Sequence, residues 1–152
     1  MAGEIPTTAG VNKTPLHPET ISLLQRKEEL GLRPYFELSV KDARATAERS
    51  YQEFGEKFDF KGRIWDTTVP NQPVEGGIPV RVYQPRSERT DPAILTYFHG
   101  GGQVLGSIAG YDTFCRMLAH CCEVIIVSVE YRLAPEHKLP AQLKTVRPPP
   151  DG

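Results

Sequence analysis

Cysteine is scarce in this sequence, which holds three cysteines among 152 residues. An odd count that includes an adjacent pair argues against the disulfide framework of a small secreted domain. We therefore expect Cys115, Cys121 and Cys122 to be reduced thiols that pack as small residues. No cysteine or histidine spacing matches a zinc motif, so the sequence predicts no metal site and no cofactor.

Long apolar runs are also missing, and neither sign of charge dominates. No stretch approaches the roughly 18 apolar residues of a membrane span, and the N-terminal residues lack the apolar core of a secretory signal. With 18 basic and 19 acidic residues the formal net charge is -1. That balance gives no reason to expect nucleic acid or an anionic membrane as a partner. The expectation is a cytoplasmic protein without a membrane span.

The first third of the chain has a helical pattern. Residues 1–17 are polar and are predicted to form a flexible tail. Residues 18–55 follow as two amphipathic helices, the first of which ends at Gly31. Ser39 is the expected N-cap of the second helix, and Gly55 is its expected end.

The pattern then changes to that of strands. Residues 62–69 are rich in β-branched side chains, and residues 78–83 alternate between apolar and other side chains. Turn-forming residues lie between the two segments. The sequence therefore predicts two strands that pair antiparallel.

Two nearly continuous apolar runs follow, over residues 93–98 and 123–129. Such runs are typical of strands that are buried on both faces of a sheet. A helix is predicted between them at residues 111–120, and its apolar face is placed at Phe114, Met117 and Leu118. Strand, helix and strand at this spacing predict a βαβ unit with parallel strands.

A glycine-rich segment, His99-Gly100-Gly101-Gly102, directly follows the run over 93–98. A simple glycine-rich turn and a phosphate-binding loop are two possible interpretations. No G-x-G-x-x-G pattern fits residues 100–106, and Ser107 stands where a Walker-type loop requires lysine. The third interpretation is an oxyanion hole, in which backbone N–H groups stabilise the negative charge that develops on an ester carbonyl. Consecutive glycines let the backbone turn its amides toward one point and leave room for a substrate.

About thirty residues later the sequence reads Tyr131-Arg132-Leu133-Ala134-Pro135-Glu136. Together with the HGGG segment, this motif resembles the hormone-sensitive-lipase family, which includes bacterial carboxylesterases and arylacetamide deacetylase-like enzymes. The resemblance covers roughly residues 18–143. It implies an incomplete α/β-hydrolase fold, with N-terminal cap helices and the first strands of a central, mostly parallel sheet. The activity that it implies is hydrolysis of small-molecule carboxylic esters.

The resemblance also implies roles for the residues of the HGGG segment. Gly101 and Gly102 would donate the oxyanion-hole hydrogen bonds, and Gly100 would allow the turn. His99 would orient the loop and would not be the catalytic base. In the second motif Arg132 and Glu136 are expected to be structural.

The nucleophile of that family lies in a G-x-S-x-G elbow that is followed by Asp or Glu and then His. The printed sequence contains no such elbow, so no serine triad can be assembled from it by the family's plan. The resemblance weakens near Lys144, and three consecutive prolines then stop a helix. We interpret residues 144–152 as an aberrant Pro-rich tail that arises from splicing, a frameshift or a gene-model error. A natural short protein with such a tail is the alternative.

Four segments are therefore expected: a tail over 1–17, cap helices over 18–56, the N-terminal part of the hydrolase domain over 57–143, and the tail over 144–152. Without a further strand beside it, the run over 93–98 would be an exposed apolar edge, so the chain is expected to be marginally stable.

Three functions remain open for the chain. In the first, the complete protein is an ester hydrolase and this chain supplies its oxyanion-hole segment. In the second, the chain is a catalytically inactive truncated isoform or a regulatory fragment. In the third, it belongs to a hydrolase-fold binding protein such as the gibberellin receptors, although a receptor does not need an oxyanion loop.

Overall fold

The computed structural model describes residues 15–70 and 74–146. Contacts divide the chain into two compact units, residues 1–33 and residues 34–152. Most of the predicted N-terminal tail lies outside the described residues. Within the described ranges, no helix has both the length and the apolar character needed to cross a membrane.

The first unit contains helix α1, Pro18–Glu29. Proline occupies the first helical position, where its missing N–H and its fixed φ are tolerated. Past the helix end, Gly31 adopts a φ of +66° and its N–H donates to the carbonyl of Glu28 at 2.9 Å. The predicted helix and its glycine stop are therefore confirmed.

The second unit begins with a short 3₁₀ helix and then helix α2, Val40–Phe54. The Ser39 side chain caps α2 by accepting from the N–H of Asp42 at 3.2 Å, as predicted. Ala43 and Ala47, one turn apart, are the buried residues of this helix. Because α1 and α2 fall in different units, their joint assignment to a cap over residues 18–56 stays a prediction.

A mixed four-stranded sheet forms the centre of the second unit. Its strands are β1 (Gly62–Val69), β2 (Ile78–Pro85), β3 (Ile94–Phe98) and β4 (Ile125–Val129), in the order β1-β2-β4-β3. The β1–β2 and β2–β4 pairs are antiparallel, and β3 pairs parallel with β4. The predicted antiparallel pair and the predicted parallel pair are both confirmed.

Helix α3, Asp112–Cys122, connects the parallel strands and covers one face of the sheet. Its buried residues are Cys115 and Ala119, whereas Phe114 and Met117 are 42% and 39% exposed. The prediction that Phe114 and Met117 belong to the buried face of α3 was therefore wrong. The spacing of four puts the two small residues on one helix face, and they pack there with Tyr83 and Ile126.

The expectation that all three cysteines pack as small residues is correct for one of them. All three are free thiols, but only Cys115 is buried, and Cys121 and Cys122 are exposed. The adjacent pair lies in the last turn of α3, beyond the part of the helix that packs on the sheet.

Strand β3 is exposed, which corrects the prediction of a strand buried on both faces. Ile94, Leu95 and Phe98 are 69%, 39% and 39% exposed. The cause is topological: in the described sheet β3 is an edge strand that pairs with β4 alone. The predicted exposed apolar edge is therefore present.

The described chain ends with helix α4, Ala141–Val146. Lys144 lies inside this helix, and its N–H donates to the carbonyl of Pro140 at 3.0 Å. Residues 147–152 lie outside the described ranges, so the aberrant tail over 144–152 stays a prediction.

Candidate functional site

The two sequence motifs meet at the carboxyl ends of β3 and β4. Because these strands are parallel, the segments that follow them leave from the same edge of the sheet. The Tyr131 hydroxyl donates to the carbonyl of His99 at 2.8 Å. The N–H of Ala134 donates to the carbonyl of Gln103 at 2.8 Å. The HGGG segment and the Tyr131–Glu136 motif therefore form one connected structure.

The glycines of this loop have backbone conformations that favour glycine. Gly101 has a φ of +130° and Gly102 a φ of +61°. The Gly101 carbonyl accepts from the N–H groups of Val104 and Leu105 at 3.1 and 2.9 Å, which closes a tight turn. A Cβ at Gly101 would lie 2.0 Å from the Leu105 carbonyl oxygen, so no other residue fits there without movement.

The turn leaves several amide groups without an acceptor, among them those of Gly101 and Gly102. Across residues 15–70 and 74–146, neither the N–H of Gly101 nor that of Gly102 donates to a backbone or side-chain atom. Gly102 is exposed and Gly101 is half-buried. Two neighbouring donors are thus available to a ligand atom from outside the chain.

His99 is buried at the base of the loop. Its Nδ1 lies 2.9 Å from the carbonyl oxygen of Gly100, and since a carbonyl can only accept, Nδ1 carries the proton. The ring stacks on Tyr131 and Tyr111, with centroids 4.4 and 5.8 Å away. Its Nε2 lies 3.9 Å from the nearer carboxylate oxygen of Glu130, beyond hydrogen-bond distance.

Two residues near His99, Gly106 and Glu130, were not identified from the sequence, and their roles follow from the structure. Gly106 has a φ of +94°, and a Cβ there would lie 2.4 Å from His99 Nδ1. Glu130 accepts from the N–H of Ile108 at 2.9 Å. Gly106 thus permits the close approach of the returning chain, and Glu130 holds that chain at the end of β4.

Arg44 of α2 is the contact that sequence reasoning missed. Its Nε donates to the carbonyl of Val104 at 2.8 Å, and its Nη2 donates to the carbonyl of Ala134 at 2.8 Å. Its Nη1 and Nη2 also bind the two carboxylate oxygens of Glu136, each at 2.8 Å. The hydrogen bond from Arg44 lowers the pKa of Glu136 to about 2. No local pattern marks an arginine on the polar side of a helix as such a contact.

Glu48 makes a second contact between α2 and the glycine-rich loop. Its carboxylate accepts from the Ser107 hydroxyl at 2.6 Å, and that hydroxyl oxygen accepts from the N–H of Gly110 at 2.9 Å. The Tyr51 ring lies against Gly110, where a Cβ would come within 2.4 Å of it. Arg44, Glu48 and Tyr51 recur at helical spacing, so one face of α2 follows the loop.

Arg132 and Glu136 were expected to be structural, and each has contacts within the fold. Arg132 donates to the Thr145 hydroxyl at 3.2 Å and to the Ala141 carbonyl at 3.0 Å. It thus connects the second motif to α4. In the described part of the chain, no group of three or more His, Cys, Asp or Glu side chains could hold a metal ion.

Comparison with known proteins agrees with the resemblance that the two motifs show. A model of the α/β-hydrolase-fold family matches residues 95–147. The chain is 32% identical to an arylesterase of Saccharolobus solfataricus over 83% of its own length and 40% of the relative's. It is 41% identical to an arylacetamide deacetylase of Oryctolagus cuniculus over 64% of its own length and 24% of the relative's.

Solved structures give the same result at the level of the fold. A hyperthermophilic esterase from the archaeon Pyrobaculum calidifontis superimposes with a TM-score of 0.70 at 38% identity, over 87% of this chain and 41% of that one. The chain therefore spans about two fifths of the length of the arylesterase and of this esterase. By its motifs, its fold and its relatives, the chain is similar to part of the hormone-sensitive-lipase-type carboxylesterases, and it has part of the α/β-hydrolase fold.

Proposed function

We propose that this chain supplies the oxyanion hole of a serine-type carboxylic ester hydrolase. The observation that carries the proposal is the pair of N–H groups on Gly101 and Gly102, which have no acceptor in the described chain. They lie on a turn that the Gly101 carbonyl closes. Arg44 binds this turn at the Val104 carbonyl, and Tyr131 binds the carbonyl of His99 just before it. The donors are thus fixed before a substrate arrives, which is the arrangement that stabilises a developing charge most.

The chemistry assigned to the loop is acyl transfer. When a serine oxygen attacks the ester carbonyl, the carbonyl oxygen becomes negatively charged and accepts hydrogen bonds from the two glycines. Loss of the alcohol gives an acyl-enzyme, which water then hydrolyses. Each donor of this kind lowers the barrier by roughly 3–4 kcal/mol.

His99 is assigned a structural role in this reaction. Its Nδ1 proton is directed to the Gly100 carbonyl, and its buried ring stacks on Tyr111 and Tyr131. A general base must reach the proton that it removes, and a buried ring bonded to its own loop does not meet that requirement. The histidine therefore supports the turn, and the Gly100 carbonyl accepts the hydrogen bond from its Nδ1.

The nucleophile is not assigned to any residue of this chain. The printed sequence contains no G-x-S-x-G segment. Ser107 is bound to Glu48, and Ser128 is fully buried in β4. We therefore propose that the isolated chain is inactive, and that a complete enzyme of this kind takes its serine, acid and base from other residues.

An inactive isoform or a regulatory fragment is the second candidate, and the missing elbow favours it. In that case the loop would be retained without turnover, and the chain would act through binding. The small-molecule ester that is proposed as the substrate would then be a ligand only.

Two assays with p-nitrophenyl butyrate test the proposal. The isolated chain is expected to give no turnover above background. A chimera in which this chain replaces the aligned part of the Pyrobaculum calidifontis esterase is expected to be active. Gly101→Ala in the chimera should lower kcat by roughly 10²–10³. Gly76→Ala is the matched control, because Gly76 also has a positive φ of +80° but has open space around it.

Each part of the proposal can fail separately. Turnover by the isolated chain that disappears in its Gly101→Ala variant would refute the proposed inactivity. An active chimera that tolerates Gly101→Ala as well as Gly76→Ala would refute the oxyanion role. A folded but inactive chimera, with intact circular dichroism, would favour the binding function.

A further inference from the structure

The Arg44 side chain connects several hydrogen bonds around the glycine-rich turn. Its guanidinium donates to the carbonyls of Val104 and Ala134. The N–H of Ala134 in turn donates to the Gln103 carbonyl, and the N–H of Val104 donates to the Gly101 carbonyl. Both motifs and the turn between them are therefore connected through one side chain.

We propose that Arg44 is a positioning residue that fixes the Gly101–Leu105 turn and so sets the direction of the two free glycine amides. This inference rests on the proposed oxyanion function of those amides. Arg44 itself touches no reacting atom. Its effect passes through the backbone of Val104. The Val104 N–H closes the turn on Gly101, and the Val104 carbonyl accepts from the guanidinium.

The carbonyl contacts, and not the ion pair, carry this role. The side chains of Arg44 and Glu136 are 31% and 54% exposed, so solvent and salt screen the pair. An exposed ion pair of this kind contributes little to stability by itself. The hydrogen bonds to Val104 and Ala134 are partly buried, and they fix the positions of two backbone segments.

Arginine is chemically suited to this position. Its planar guanidinium presents five N–H donors in a fixed fork, so one side chain can bind two carbonyls and a carboxylate together. A lysine ammonium is a single point from which the same three acceptors cannot all be reached in this geometry. Arg44→Lys therefore keeps the positive charge but loses the planar group that donates in several fixed directions.

The backbone of Arg44 lies in a packed part of helix α2. Ala43 and Ala47, its neighbours on α2, are 5% and 1% exposed. Glu48, one turn further along, binds Ser107 at the far end of the same loop. Two contacts from a packed helix thus hold the loop at two points, residues 104 and 107.

The test uses the full chain labelled with ¹⁵N, and measures amide hydrogen exchange and chemical shifts. Arg44→Gln and Arg44→Lys are both expected to speed exchange at the amides of Val104, Leu105 and Ala134 by roughly tenfold. The amide of Ile126, in the core of β4, should be unchanged. The resonances of the two glycine amides, Gly101 and Gly102, should move in both variants.

Two further variants provide the controls. Glu136→Gln removes the carboxylate charge but leaves both carbonyl contacts, so the loop amides should exchange nearly as in the parent chain. Arg49→Gln removes an exposed arginine from the same helix and should change nothing.

Three results would overturn the proposal. One is unchanged exchange at Val104 and Leu105 in Arg44→Lys, a conservative variant that retains the charge and the length of the side chain. A second is equal acceleration at Ile126, which would make Arg44 a residue of general stability. The third is a Glu136→Gln variant that loosens the loop as much as Arg44→Gln does. None of these results depends on turnover, so failure of the oxyanion role in the chimera assay would be recognised separately.

Discussion

The Tyr131 hydroxyl lies 2.8 Å from the carbonyl oxygen of His99 and donates to it across 32 positions of sequence. The two rings also stack, with centroids 4.4 Å apart. One residue follows β3 and the other follows β4, so the contact connects the ends of two parallel strands. The glycine-rich loop therefore starts from a fixed point.

Tyr131→Phe is expected to destabilise the chain by about 1 kcal/mol, because the buried His99 carbonyl loses its donor while the ring packing is kept. Urea unfolding followed by circular dichroism measures the change. Tyr97→Phe is the control, since the hydroxyl of Tyr97 donates to no acceptor in the described part of the chain. Equal destabilisation by the two variants would contradict the role of the Tyr131 hydroxyl.

Two adjacent glycines should respond differently to alanine. At Gly102, with a φ of +61° and open space around it, alanine is expected to cost roughly 1–2 kcal/mol of local strain. At Gly101, with a φ of +130°, the new Cβ would also meet the Leu105 carbonyl oxygen at 2.0 Å, so the turn has to open. Only Gly101→Ala should therefore remove exchange protection from Leu105. Protection that survives in Gly101→Ala would show that the turn tolerates a side chain.

Local signals in the sequence were sufficient for most of the secondary structure. Residues 62–69 were predicted as a strand from their β-branched side chains, and β1 has those bounds. Ser39 and Gly31 were correctly placed at helix ends, because capping depends on residues only a few positions apart. The HGGG segment was predicted to follow a strand, and it follows β3.

Features that depend on distant residues could not be predicted in this way. Arg44 contacts residues 60 and 90 positions away, and nothing in its neighbours on α2 indicates that. The exposure of Ile94 depends on which strands lie beside β3, and an apolar run does not contain that information. The small residues Cys115 and Ala119 define the packed face of α3, although larger apolar residues lie beside them.

A small part of the chain's stability should change with pH through the Arg44–Glu136 pair, which is exposed and contributes little by itself. The pKa of Glu136 falls from 4.5 to about 2 in the folded chain, first because of the hydrogen bond from Arg44. A lowered folded pKa means that the ionised carboxylate stabilises the fold above pH 4.5, and that this contribution is lost as the pH falls toward about 2. The difference in unfolding free energy between the parent chain and Glu136→Gln should therefore shrink across that window.

Urea unfolding at a series of pH values and at two salt concentrations measures this difference. Salt should reduce it, since the Glu136 side chain is 54% exposed. Glu88→Gln, on the exposed loop after β2, controls for the loss of one carboxylate. A difference between parent and Glu136→Gln that stays constant through the window would mean that the pair does not form in solution.

The three thiols should fall into two classes of reactivity. Burial raises the pKa of Cys115 to about 11, so the reactive thiolate is rare and also inaccessible. Cys121 and Cys122 are exposed. An aromatic disulfide reagent should modify two thiols rapidly in the native chain and the third only in denaturant. Cys115→Ala identifies the slow thiol, and rapid modification of three thiols in the native chain would mean that α3 does not stay packed on the sheet.

Self-association should depend on the edge strand β3. The segment from Ile94 to Phe98 carries no charge, and Ile94 is 69% exposed beside an unpaired strand edge in the described sheet. Edges of this kind pair with other chains unless a charge blocks them. Ile94→Lys is expected to lower the fraction of oligomer in sedimentation velocity, with little change in the thermal midpoint because the side chain is already in water. Leu143→Lys is the matched control, since Leu143 is 62% exposed but belongs to helix α4 and not to a strand. If association is driven by the strand edge, only the β3 variant reduces it; if exposed apolar area alone is responsible, the two variants reduce it equally.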